Sequence, residues 1–196
     1  MLKSQSKSKT ILKTGQRAKY DLYPTPKKCV TELLKRVDFK GNIWEPACGK
    51  GDVSEVLLDN NYTVLSTDIV DHGYDKLTAQ INFLNCISAR NIPTNIVTNP
   101  PFNKAFEFVE HSINLVKPNQ GKVAMFLRLA FAESKKRRNF FINNRPTYIY
   151  VFSERQTLWR NGEVIPKGRS GTTAYAWWVW DFSNKKQFNK TIFDWI

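Results

Sequence analysis

The sequence is poor in the residues that build metal and disulfide chemistry. Its three cysteines, Cys29, Cys48 and Cys86, are odd in number and far apart, and no CxxC pair exists. Neither a zinc site nor a disulfide frame is encoded, and a reducing cytosol fits best. There are two histidines; His72 reads as a loop residue with no ligand set nearby, so no metal is expected. No apolar run reaches the length that spans a bilayer, so no membrane association is expected. Met1–Lys19 is basic and polar and lacks the apolar stretch of a secretory signal. The phosphate-binding signatures are missing too: there is no GxGxxG, and no P-loop ending in GKS or GKT. That weighs against a pyrophosphate ligand and leaves a smaller nucleoside. Acidic residues are scarce. Lys and Arg number 30 against 17 Asp and Glu, which gives a net charge of +13 and a pI of about 9.7. From Met1 to Tyr20 there are six basic residues and no acidic one. A surplus this large calls for a polyanionic partner, most often nucleic acid.

What is present is enough for one globular domain. The chain has 196 residues, 41% of them hydrophobic and 13% aromatic, so it can bury a proper core. Residues 1–19 are Lys/Ser/Thr-rich and aperiodic, and read as a basic flexible arm that settles on phosphates. Residues 20–196 read as a single domain with no internal repeat and no separate target-recognition domain. A monomer is expected.

Strand and helix patterns alternate along that domain. Thr25 is a good N-cap with Pro26 at the first helical position, and Val30, Leu33, Leu34 and Val37 trace one face of the helix that follows. Strands are expected over 42–45, 62–67, 81–84, 95–98, 122–128, 148–152 and 174–181. Helical patterns carry Val53, Val56, Leu57 and Leu58, then Ala105 to Val116, then a basic helix over 134–143. The last ten or so residues read as a tail. Such alternation implies a mostly parallel seven-stranded sheet covered on both faces, of α/β class, with an antiparallel hairpin at one edge. Trp177, Trp178 and Trp180 read as core and edge packing.

Three stretches carry chemistry. Glu45-Pro46-Ala47-Cys48-Gly49-Lys50-Gly51 joins a strand to a helix, and its glycines permit a tight turn. Asp68 follows Gly49 by 68 − 49 = 19 positions and ends the next strand, where an acidic side chain holds ribose hydroxyls in nucleotide-binding units. The third stretch is Asn99-Pro100-Pro101-Phe102 at the end of the fourth strand. Two prolines cannot continue a buried strand and leave a stiff rim. The Asn99 amide oxygen and the Pro100 carbonyl are acceptors beside the flat ring of Phe102. Two acceptors next to an aromatic plate suit a planar ring with an exocyclic amino group.

In this order, the three stretches resemble S-adenosylmethionine-dependent adenine-N6 DNA methyltransferases of the small phage and bacterial form. The likeness covers about residues 20 to 182. It implies a Rossmann-like class I methyltransferase fold, S-adenosyl-L-methionine as cofactor, DNA as partner, and a bacterial or phage-infected cytoplasm. It implies catalytic roles for Asn99, Pro100, Pro101 and Phe102. It assigns the cofactor to Tyr23, Thr25, Pro26, Glu45, Pro46, Ala47, Gly49, Gly51, Asp68, Ile69, Asn82, Phe83 and Asn99. Where the family often has an acidic residue before Phe-Leu, this chain has Asn82. A base inside a duplex is out of reach, so the target must be extruded. Candidate nucleic-acid contacts are Lys135, Lys136, Arg137 and Arg138, and in the long loop after the sixth strand Arg155, Trp159, Arg160, Lys167 and Arg169. Asn-Pro-Pro with an aromatic also occurs in methyltransferases acting on RNA adenine N6, on RNA guanine N2 and on protein glutamine, although the charge weighs against a protein substrate. A non-catalytic nucleic-acid-binding protein on the same scaffold is the alternative from another class.

Overall fold

Eight strands form one sheet in this computed structural model, which describes residues 22–87, 93–158, 171–183 and 190–196. In chain order they are β1 (Ile43–Glu45), β2 (Val64–Asp68), β3 (Ala79–Gln80), β4 (Asn95–Thr98), β5 (Lys122–Arg128), β6 (Tyr148–Val151), β7 (Tyr175–Asp181) and β8 (Ile192–Trp195). Their spatial order is β3-β2-β1-β4-β5-β7-β6-β8. Every pairing is parallel except the two made by β7, so β7 alone runs against the rest. The expected hairpin exists, but its second strand inserts between β5 and β6 rather than extending the edge.

Four helices accompany the sheet among the described residues: α1 (Lys27–Leu34), α2 (Asp52–Asp59), α3 (Ala105–Val116) and α4 (Arg138–Asn143). Their buried positions follow the helical repeat. In α3 these include Phe108, Val109, Ser112, Ile113 and Val116, which form one buried, mostly apolar stripe. Strand alternation then divides the core in two. Val123, Met125 and Leu127 of β5, with Trp178 and Trp180 of β7, pack toward α3. Ala124 and Phe126, with Trp177 and Val179, pack toward α1 and α2. The tryptophans are thus core residues, as expected. Trp177 Nε1 donates to the Cys29 carbonyl at 2.8 Å, which ties β7 to α1.

The boundaries differ from expectation in four places. The sheet has eight strands, not seven, because Ile192–Trp195 pairs parallel to β6 where a tail was expected. The third strand is Ala79–Gln80, and the stretch expected as strand instead forms a 3₁₀ turn over Phe83–Asn85. Asn82 caps that turn by accepting from the Leu84 amide, a local bond that competes with strand pairing. The basic helix is shorter, with α4 starting at Arg138. Pro26, not Thr25, is the N-cap of α1, and no side chain caps it. The Thr25 hydroxyl is engaged elsewhere, by Asn99.

The topology fixes where a ligand can bind. From β1 the chain crosses to β2 on one side, while β4 lies on the other side of β1. Helix dipoles and free strand ends converge at such a reversal, beyond the carboxyl ends of the strands. Glu45 ends β1, Asp68 ends β2, and Asn99 follows β4 directly. The three motifs of the sequence therefore meet at one crevice.

Candidate functional site

That crevice is a cavity of about 260 Å³, toward the small end for a small-molecule site. Its lining includes the entry segment (Leu22 to Thr25), the turn after β1 (Glu45 to Gly49), Asp68 and Ile69, the 81–84 stretch, and Asn99 to Lys104. Of the residues expected at a cofactor, Tyr23, Thr25, Glu45, Pro46, Ala47, Gly49, Asp68, Ile69, Asn82, Phe83 and Asn99 all line it. Pro26 and Gly51 do not. Pro26 starts α1, and Gly51 precedes α2 with a φ of 85°.

The turn after β1 is closed by its own neighbours. The Gly49 amide donates to Asp68 Oδ2 at 2.8 Å, and the Val70 amide donates to Asp68 Oδ1 at 3.1 Å. Asp68 therefore clamps the β1 and β2 ends together, and it also lines the cavity. A Cβ on Gly51 would lie 2.2 Å from the Tyr74 ring. Close backbone approach at this glycine is toward a tyrosine, not toward a ligand. Tyr74 in turn donates its hydroxyl to Glu55. Asp52, the first residue of α2, also lines the cavity and suits the positive end of the helix. Its position directly after Gly51 was the available signal for it.

The cavity gathers acidic side chains in a basic chain. Glu45, Asp52 and Asp68 all line it, in a protein of net charge +13. Glu45 is 1% exposed and is hydrogen-bonded by the Ser54 hydroxyl, itself 2.6 Å from the Ser66 hydroxyl. Desolvation pushes its carboxyl well above the ordinary carboxylate value, and burial also raises Asp52. Burial pushes the Cys48 thiol up to about 12, so it stays protonated and is no nucleophile.

Asn99 is the most constrained polar group of the site. Its Nδ2 donates to the Tyr23 carbonyl at 3.0 Å and to Thr25 Oγ1 at 2.9 Å. Both donor hydrogens are thereby engaged, which fixes the orientation of the amide. Its Oδ1 is buried and has no hydrogen-bond partner among the described residues. An unmatched buried acceptor is costly, and one that sits on a cavity wall can receive a donor from a guest. Pro100 and Pro101 continue the rim, and Phe102 opens a 3₁₀ turn into α3. The Phe102 ring lies 5.1 Å from Tyr23 and 6.0 Å from Tyr175, with tilts of 37° and 36°. Arg128, at the end of β5, places its guanidinium 4.6 Å over the same ring. Nothing in the sequence singled out Arg128 or Tyr175. They face each other across β5 and β7, far apart in the chain.

The candidate nucleic-acid residues do not behave alike. Lys135, Lys136 and Arg138 are exposed. Arg137 is engaged within the fold: it donates to the carbonyls of Phe131 and Glu133, and its guanidinium lies 4.5 Å over the Phe131 ring. Arg155 donates to the Thr172 carbonyl across its loop. Trp159, Arg160, Lys167 and Arg169 lie outside the described residues, as does the basic arm over 1–19. Among the described residues no cluster of three or more His, Cys, Asp or Glu side chains is placed to hold a metal, and no helix is long and apolar enough to cross a membrane.

No protein-family model and no curated protein matches this sequence. Solved structures do match. One is the methyltransferase subunit of a type I restriction-modification system from Streptococcus thermophilus, with a TM-score of 0.61 at 12% identity. The match covers 90% of this chain but 48% of that one, so the chain spans about half the subunit's length. A candidate RNA methyltransferase from Pyrococcus horikoshii aligns with a TM-score of 0.58 at 12% identity, over 86% of this chain and 90% of its own. A dimethyladenosine transferase from Plasmodium falciparum gives a TM-score of 0.51 at 14% identity, over 81% of this chain and 61% of its own. The fold is that of the Rossmann-like methyltransferases.

Proposed function

We propose that this chain is an S-adenosylmethionine-dependent methyltransferase that modifies the N6 amino group of an extruded adenine in DNA. One observation carries the reading: the buried Asn99 Oδ1, oriented by Tyr23 and Thr25 and left without a donor, on a proline ledge beside an aromatic ring. An exocyclic amino group supplies the missing donor. The N6 lone pair of adenine is delocalised into the ring and is a weak nucleophile. Acceptance of the N6 hydrogens by Asn99 Oδ1 and the Pro100 carbonyl draws electron density onto nitrogen and fixes its direction. S-adenosylmethionine, when bound, supplies a methyl group on a cationic sulfur, so the leaving group needs no acid. Asn99 and Pro100 then act by position and by preorganised dipoles. The amino group gains the methyl and releases one proton after transfer. Phe102 gives the base a surface to stack on.

The cavity residues fit such a cofactor. Three carboxyl groups line the pocket, two of them with raised pKa, and a cationic guest would favour their ionised forms. Asp68, which ends β2 and lines the cavity, would take the ribose hydroxyls, and Phe83 and Leu84 would give the purine an apolar surface. Exposed Lys135, Lys136 and Arg138 would hold the phosphate backbone.

Labelled-methyl transfer onto duplex DNA, single-stranded DNA and RNA, followed by nucleoside analysis, tests the proposal. N6-methyldeoxyadenosine is the expected product. Label found only as N6-methyladenosine in RNA, or only on protein, overturns it.

A further inference from the structure

Strand β8 leaves apolar side chains uncovered. Three of the six large apolar residues exposed among the described residues, Ile192, Phe193 and Trp195, belong to its four positions. Phe193 is 45% exposed and Trp195 64%. Strand alternation sets both on one side of the sheet, where their rings lie 5.3 Å apart at 75°. Their register partners on β6, Ile149 and Val151, belong to the core layer that α3 and α4 cover. The two rings therefore carry that layer past its covered part. The exposed Lys135, Lys136 and Arg138 stand on the same side, where the chain enters α4, the helix that stacks Phe141 on Trp178. Asp194, the one acidic residue of β8, falls on the opposite side, level with Tyr150. β8 runs the same way as β4, so its end lies on the rim that carries Asn99. One row across the sheet joins Thr98, Met125, Trp178, Ile149 and Phe193. Four strand spacings of about 4.8 Å set the ends of that row about 19 Å apart.

The open edge of β8 suits a flat guest better than another strand. The Ile192 and Ile196 amides bond back to β6, so Phe193 and Trp195 turn their backbone groups outward. The Trp195 amide is already taken, by Asp194 Oδ1 at 2.9 Å. A carboxylate on an edge strand opposes strand addition, and two chains of net charge +13 repel each other. A polyanion with flat faces meets neither obstacle.

We propose that Phe193 and Trp195 form a stacking platform for the bases of an unpaired DNA strand, whose phosphates lie along Lys135, Lys136 and Arg138. Any base offers a π-face, so the platform reads strandedness and not sequence. Bases in a duplex are stacked on one another and leave no face open to it. A stacked strand advances about 3.4 Å per nucleotide, so a base at the Asn99 ledge puts the platform about six nucleotides away. The target strand is thus held at two points, and the substrate is a single strand or a locally opened duplex. The inference deepens the proposed function and rests on its choice of a nucleic-acid substrate.

The test measures binding of the full chain and its Trp195→Ala, Phe193→Ala and Trp195→Phe variants to a labelled single-stranded oligodeoxythymidylate. Thymine has no exocyclic amino group, so this binding does not draw on the catalytic ledge. Loss of one stacked base should weaken binding by roughly 5- to 100-fold in either alanine variant. Trp195→Phe keeps a ring and should stay close to wild type. The salt dependence should not change in these variants, since stacking releases no counterions, whereas Lys136→Ala should make its log–log slope shallower by about 0.7. On an abasic strand of the same length, and on a blunt duplex, the alanine variants should bind as the wild type does. Equal loss on the abasic strand or the duplex overturns the proposal, as does no loss on the single strand. A wild-type dimer in solution that Trp195→Ala converts to monomer overturns it too, because a second copy then covers the rings. Failure of the catalytic reading is seen separately, as a wild-type protein that shows this stacking contrast but transfers no methyl group to an adenine-containing strand.

Discussion

The two halves of the sheet are built for different tasks. On one side, β3, β2, β1 and β4 are strands of two to five residues, all parallel. On the other, β5 and β7 are seven residues each, paired antiparallel along their full length. The short strands are little more than posts. Their carboxyl ends deliver Glu45, Asp68 and Asn99 to one crevice, and polar groups sit buried there. The long pair is buried almost throughout and carries Phe126, Trp177, Trp178 and Trp180. One half holds the molecule together, while the other gathers polar side chains at one crevice. Substitutions in the long pair should then lower stability and leave the chemistry of surviving protein unchanged. Substitutions at the posts should do the reverse.

Trp178→Ala should produce the largest effect. Trp178 is 2% exposed, and its ring packs at 5.5 Å on Phe131 and 5.9 Å on Phe141. Truncation leaves a cavity between β7 and the segment that runs into α4, at a cost of ~3–5 kcal/mol. Chemical denaturation measures it. Turnover per folded molecule should stay near wild type; a specific loss of turnover would blur the division between the two halves.

Asn99→Ala should do the opposite. Activity should fall by about 100- to 1000-fold, the scale seen when one preorganised polar group is removed from a transition state. Titration with S-adenosylhomocysteine should show binding within a few-fold of wild type, and the melting temperature should fall only modestly, since the two bonds donated by Nδ2 are lost. Removal of the unmatched Oδ1, a local cost to the fold, offsets part of that loss. Thr25→Val sharpens the same point at lower amplitude. It keeps the shape of Thr25 but withdraws one of the two acceptors that orient the Asn99 amide. A drop of about tenfold in turnover is expected, read in the same labelled-methyl assay, with little change in cofactor-analogue affinity.

Local patterns and distant partners were unequally legible in the sequence. Strand alternation and helix periodicity are local patterns, so most strands of the sheet, the position of Asp68 and the proline ledge could be read off directly, while the third strand and the last one could not. The ledge reads well because two successive prolines dictate backbone form regardless of context. What could not be read depends on partners distant in the chain. Thr25 looks like an N-cap until Asn99, 74 positions on, claims its hydroxyl. Gly51 looks like a ligand-binding glycine until Tyr74 is found against it. Arg128 and Tyr175 become neighbours only because β7 inserts beside β5. The last strand, Ile192–Trp195, is exposed along its length and so lacks the hydrophobic alternation that announces a strand.

The smallest expected effect concerns Glu45, which stands where the two tasks overlap, since it ends a strand and lines the cavity. Its carboxyl is raised well above its ordinary value of 4.5, first by desolvation, while the Ser54 hydrogen bond pulls the other way. The sign follows from proton counts in the two states. Below about pH 4.5 the carboxyl is neutral in both, and it makes no difference. As pH rises beyond that, the unfolded chain releases the proton while the folded chain retains it, so stability falls until the folded group also ionises. Glu45→Gln keeps the shape and a hydrogen bond for Ser54 but cannot ionise. The melting temperature of the variant should therefore lose less than wild type between pH 4.5 and 8, with the gap widening upward. A cationic ligand beside the carboxylate should narrow that gap by lowering the wild-type value, so the same titration repeated with S-adenosylmethionine links the stability of the post to its guest. Parallel curves for wild type and Glu45→Gln would mean that Glu45 is ionised in the fold already, and that the cavity carries its full negative charge before any ligand arrives.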